Sequence, residues 1–154
     1  MKRILVTVCS VLILAFGNKS LAAEPFEAEV EARQAFMQVL KFNLGILGDM
    51  AKGNREYDAK LAEALAKNIH AASQMNNGAM WPVGSDNSNS AISTNAKPEA
   101  WSQYPKVAEK HGIWIEASGA LALNAGNGLS ELQKNIGAVG KSCQGCHKLV
   151  KADD

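Results

Sequence analysis

Apolar side chains recur along this chain at alternating steps of three and four residues, and that spacing limits the fold more than any other feature. Phe26, Val30, Met37, Leu40, Leu44, Leu47 and Ala51 fall on one face of a helix, with Arg33 in the same series. Gly45 and Gly48 weaken this helix slightly and would permit close packing. The polar stretch KGNREYD at 52–58 breaks it. Leu61, Leu65, Ile69 and Ala72 predict a second helix running to Met75, with Asp58 as its cap. Residues 76–98 carry no period and are rich in Asn, Ser, Gly and Pro. They predict a long loop, of a length usually found where a loop covers something or is mobile. A third helix is expected from Pro98 or just after Pro105, with Val107, His111, Trp114, Ser118, Leu121 and Ala125 inward, ending at NAGNG (124–128). Ser130 to Lys151 reads as a fourth, presenting Leu132, Ile136, Val139, Cys143, Cys146, His147 and Val150. No alternating β-branched run suggests a sheet. The expected fold is all-α, an antiparallel four-helix bundle.

The first 23 residues stand apart from this pattern. Lys2 and Arg3 precede the apolar run Ile4 to Phe16, and GNKSLAA follows, ending in small residues. That order predicts an export signal over 1–23, cleaved after Ala22 or Ala23, with a single domain at 24–154. The apolar run is short for a membrane span and no second one follows, so stable membrane insertion of the mature chain is not expected. Taking 23 residues from 154 leaves 131. Three of the 16 basic residues go with the signal, leaving 13 against 15 acids, a net charge of −2. A slightly acidic chain without a basic patch argues against nucleic acid as a partner. Cys9 also leaves, so the exported protein keeps Cys143 and Cys146 alone. Two neighbouring thiols in an oxidising compartment require an explanation.

They lie in KSCQGCHK, residues 141–148. A thioredoxin-like dithiol opens a helix after a strand, whereas this motif sits near the end of the last helix. A structural zinc site needs four ligands, and Cys143, Cys146 and His147 supply three unless His70 or His111 is recruited. A plain disulfide leaves His147 unexplained. C-x-x-C-H as a covalent haem attachment site fits every position. Each sulfur adds to a haem vinyl group, and His147 follows to reach the iron from the same helical face, at i, i+3 and i+4. Attachment outside the cytoplasm agrees with the export signal. The expected cofactor is one haem c, held by two thioethers and enclosed by the bundle, with Gly137, Ala138 and Gly140 leaving room beside the fourth helix.

With these residues in place, the chain resembles the cytochrome c′ family, including its low-spin cytochrome c-556-like branch. The resemblance spans nearly the whole mature chain: ARQAFMQVLKFNLGILGDMAKGNREYDA at 32–59, MWPVGSDNSNSAISTNAKPEAW at 80–101 and VGKSCQGCHKLVK at the end. It implies that the residue four after the Arg of the Arg33-Gln34 pair faces the iron, which here is Met37. On its own, Met37 reads as core filling, with Met50, Met75 and Met80 as competing candidates. Arg33 needs a partner if buried, or snorkels from the bundle end; the resemblance implies a haem propionate. It also implies a basic residue beside the proximal histidine, at Lys151. His70 and His111 read as satisfied core or boundary histidines, and Trp81, Trp101 and Trp114 as core and loop anchors.

The function expected is that of a periplasmic electron carrier, not an enzyme. His147 and Met37 would ligate the iron, and redox proteins of the periplasm would be donor and acceptor. If Met37 does not ligate, the alternative is a five-coordinate haem binding small gases such as nitric oxide. The resemblance also makes a homodimer through the first two helices possible.

Overall fold

The computed structural model describes residues 25–153, so the export signal expected over 1–23 lies outside the described residues. Five α-helices form: α1 (Glu27–Lys52), α2 (Ala59–Ser73), the single turn α3 (Glu99–Ser102), α4 (Tyr104–Asn124) and α5 (Leu129–Val150), with a 3-10 turn at Gly78–Met80. No strand occurs among the described residues, only an isolated bridge between Ala96 and Lys151. The four long helices close a ring. Each of α1 and α4 packs against both α2 and α5, and α4 packs on α5 more extensively than α1 does.

The helix ends follow from local chemistry. Gly53 stops α1 with φ 77°, a left-handed conformation that costs a glycine little, and its amide donates back to the carbonyls of Asp49 and Met50. Asp58 caps α2, accepting the Leu61 amide at 3.0 Å. The two expected starts of the third helix both occur. Glu99–Ser102 forms one turn after Pro98, and α4 begins again with Pro105 in its first turn. Tyr57 joins the two tight connections at one end: its hydroxyl donates to the Ala125 carbonyl at 2.8 Å and accepts the Gly128 amide at 2.9 Å.

The apolar stripes meet as expected, but only along part of their length. Leu47, Met50, Leu121, Ala125 and Leu132 are fully buried, with Leu65, Ile69 and Val139 close behind. All belong to one core that fills the end of the bundle near Tyr57. Met50 is therefore part of this core. Towards the other end, Leu40, Leu44 and Ile136 are only partly buried, while Met37 is 38% exposed. Gly45 and Gly48 do not serve close packing, because a Cβ added at either would meet nothing within 4 Å.

Leu121→Ala is expected to cost about 2–5 kcal/mol, because truncating a fully buried leucine removes transfer free energy and leaves a cavity. Urea denaturation of the haem-loaded protein checks this. A loss below about 1 kcal/mol would mean that the core can collapse around the missing side chain.

Candidate functional site

Helix α5 carries Cys143, Cys146 and His147 on adjoining turns at the less completely packed end of the bundle. Both cysteines are half-buried free thiols, so no disulfide joins them. Burial pushes both thiols up, and for Cys146 the neighbouring Cys143 adds to the effect. Neither is therefore an activated thiolate of the kind that drives thiol–disulfide exchange. His147 is exposed as a residue, yet the protein around its ring still disfavours the charged form, and the Lys151 charge adds to this. Its imidazole is held towards the neutral state, the form that ligates a metal.

The other histidines are occupied elsewhere. His70 Nδ1 lies 3.2 Å from the Ser118 hydroxyl, which donates to the Ser73 hydroxyl at 3.0 Å. His111 Nε2 donates to the Ser73 carbonyl at 2.9 Å, and the ring rests near Trp114. Both histidines thus tie α2 to α4, although His111 is more exposed than the apolar face suggested. Among the described residues no three His, Cys, Asp or Glu side chains are grouped to hold a metal ion, and neither His70 nor His111 joins Cys143, Cys146 and His147.

Arg33 is the residue whose surroundings the sequence does not disclose. It is 3% exposed, and the long loop supplies its partners. Nη1 donates to Ser85 Oγ at 2.7 Å, while Nη2 donates to the Ser85 carbonyl at 2.5 Å and to Thr94 Oγ1 at 2.8 Å. The guanidinium also sits 4.9 Å from the Trp81 ring centre, within cation–π range. Burial lowers the Arg33 pKa and the nearby Asp86 charge opposes that shift. The Asp86 carboxyl is held below its usual range, chiefly by the Ser88 hydroxyl and amide, with a smaller contribution from Arg33. Arg33 therefore does not snorkel.

The same loop continues to α5. The Lys97 amide donates to the Val150 carbonyl and the Ala152 amide to the Asn95 carbonyl, each at 2.8 Å. Trp101 Nε1 donates to the Trp81 carbonyl at 3.0 Å, and the two indoles stand 6.1 Å apart. The segment expected to cover something or move thus straps the start of α1 to the end of α5. Its anchors, Arg33, Trp81 and Trp101, were singled out by the sequence, but their pairing was not.

These residues fit a flat apolar group bound through two sulfurs. α5 offers two thiols and a neutral imidazole in register, and α1 leaves Met37 exposed at the same end. A Cβ added at Gly140 would meet nothing within 4 Å, so there is space beside this face. Gly137 and Ala138 do not provide room in the interior as expected, because both are exposed on the outer side of α5. Met37 lies on α1 one turn after Arg33. Met75 is 41% exposed beyond α2, and Met80 is half-buried in the loop.

The comparisons with known proteins point the same way. A family model described as Cytochrome C′ matches residues 28–150. A cytochrome c′ of Cereibacter sphaeroides is 31% identical over 147 residues, covering 96% of this chain and 95% of its own. A cytochrome c-554 of the same species is 30% identical over 132 residues, 86% of this chain and 98% of its own. A solved cytochrome c′ from Rhodobacter superposes with a TM-score of 0.80 at 29% identity, covering 84% of this chain and 99% of that one. Another, at TM-score 0.76 and 27% identity, covers 84% and 98% and is described as having an unusual ligand-controlled dimer dissociation.

Arg33→Lys keeps the charge but cannot reproduce three directed bonds from one planar fork. Amide hydrogen exchange is expected to speed up across residues 82–96 and to stay unchanged at Leu65 and Leu121. Unchanged exchange throughout would show that the strap holds without Arg33.

Proposed function

The chain belongs to the cytochrome c′ family, and from that premise we propose that it is a periplasmic carrier of single electrons of the low-spin, cytochrome c-556-like kind. Membership brings one covalently bound haem c. In the proposal Cys143 and Cys146 would hold it through thioethers, and His147 and Met37 would ligate its iron. The observation that carries this reading is Met37, a thioether on α1, exposed to 38% and one turn from the buried Arg33. The haem supplies a one-electron couple at its iron, and His/Met ligation raises the potential of that couple. Filling the second face leaves little to rearrange on reduction, which suits a carrier rather than an enzyme. Arg33 reaches a propionate by sharing a guanidinium that has five donors; three of its bonds already serve Ser85 and Thr94.

The relatives favour a second reading. The cytochrome c′ name recurs among them and among the solved structures, alongside cytochrome c-554. On that reading the iron keeps an open face for small gases such as nitric oxide, and Met37 is an unligated apolar residue. Absorption spectra of the two redox states decide between them. The carrier reading expects low-spin spectra with a weak far-red sulfur-to-iron band and no shift under carbon monoxide. A high-spin spectrum with ready carbon monoxide binding removes it. Met37→Ala is expected to convert the protein to high spin and admit carbon monoxide, and a variant that stayed low-spin would move the ligand elsewhere.

Two further parts of the proposal have separate tests. Residues 1–23 are removed on export to the periplasm, which the mass of the mature protein checks. No described helix is long and apolar enough to cross a membrane. The chain also pairs with a second copy through α1, where Val39 and Phe42 are 56% and 65% exposed on the face away from the core. The dimer described for one structural relative supports this. Phe42→Glu is expected to yield a monomer in sedimentation analysis with an unchanged spectrum; an unaltered dimer would place the contact on another face.

A further inference from the structure

The outer face of α5 combines features that the haem site does not use. From Lys141 to Lys151 this helix end contains Lys141, Lys148 and Lys151 and no acidic residue, and all three lysines are exposed. Two further lysines lie beside it. Lys97 Nζ reaches the Lys148 carbonyl at 3.4 Å, and a Cβ added at Gly145 would meet the stem of Lys110 on α4 at 3.8 Å. Glu109 and Lys110, 3.1 Å apart, offset each other's charge, and Asp153 follows two residues after Lys151, so the positive character of this face rests on Lys141 and Lys148.

Lysines on a helix surface ordinarily do no more than solvate it. Three observations go further here. First, a groove of about 310 Å³ runs between α4 and α5, lined by Lys110, Ile113, Ala138, Lys141, Ser142 and Gly145. Its floor is partly apolar, and Ile113 is 42% exposed there. Second, Ser142 and Gly145 are the chain neighbours of Cys143 and Cys146, so the groove lies one residue from each haem attachment point. On its other side this face borders the exposed His147. Third, the exported chain is expected to be slightly acidic, so the positive field is local, and a local field orients an approaching charged partner.

Resting on the carrier reading, we propose that electrons enter and leave through this α4–α5 face, and that its partner is a redox protein presenting carboxylates around a small apolar patch. Ile113, Ala138 and Gly145 form the dry centre, while Lys141 and Lys148 form the charged rim, with the Lys110–Glu109 pair beside them. Such an arrangement steers encounter through charge and leaves few contacts to slow release.

The test uses the haem-loaded protein and two small oxidants of opposite charge, hexacyanoferrate(III) and tris(phenanthroline)cobalt(III). Oxidation of the ferrous protein is followed by stopped flow across ionic strength. The anionic oxidant is expected to react faster at low salt, and the rate to fall as salt screens the rim. Lys141→Glu with Lys148→Glu should cut that low-salt rate by roughly 10-fold or more and raise the rate with the cationic oxidant, with the spectrum unchanged. Lys60→Glu with Lys134→Glu makes the same change in net charge at the other end of the bundle and should leave both rates nearly as they were. A rate with hexacyanoferrate(III) that rises with salt overturns the proposal, and so do equal effects of the two double variants. A high-spin spectrum would remove the carrier reading instead, and it is read independently of these salt dependences.

Discussion

Leu47, Met50, Leu121 and Leu132 meet with no exposed surface at one end of the bundle, and Tyr57 bonds across the two connections that close it. At the other end the same stripes continue on paper but do not close on one another. Met37 remains substantially exposed, and Leu40, Leu44 and Ile136 are only partly covered. A four-helix bundle gains its stability by burying such stripes. Incomplete burial at one end therefore marks where a large apolar group belongs. The two thiols and the imidazole of α5 sit at that end, and the family brings a covalent haem c to it.

Strapping that end is a polar task. Arg33 occupies an otherwise apolar position, where an unsatisfied guanidinium would be expensive. The loop satisfies it with a hydroxyl and a carbonyl from Ser85 and a hydroxyl from Thr94. It then runs on to pair with the last residues of α5. Arg33, with Gln34 donating to the Ser93 carbonyl, thus fixes a long loop against α1, and that loop in turn holds the helix end that carries the C-x-x-C-H motif. The charged outer face of α5 is shaped by the same arrangement, since Lys97 arrives there at the end of the strap.

The helices were legible because each one is a periodic, local pattern with punctuated ends. Asp58, Gly53 and Pro105 all act where their chemistry suggests. Cys143, Cys146 and His147 were legible as a set because five consecutive residues specify their own geometry on a helix. Gly137 and Ala138 misled because composition does not say which side of α5 faces in, and Gly45 and Gly48 because a small residue permits an approach without requiring it. Met37 sits between these cases: its stripe is readable, but a ligand role for it turns on the distance between α1 and the haem, which no local pattern records.

By itself, then, the amino-acid sequence determined four amphipathic helices, their order, the C-x-x-C-H motif on the last one and a long loop before the third. Those follow from spacing, capping and short-range stereochemistry, which act over a few residues. Only the tertiary structure decided that the core closes at one end, that His70 and His111 are spent joining α2 to α4, and that Arg33 holds the loop across to α5. Each of those depends on groups tens of residues apart becoming neighbours. Hydrogen bonding between such groups is set by the packing of whole helices, which no local pattern records.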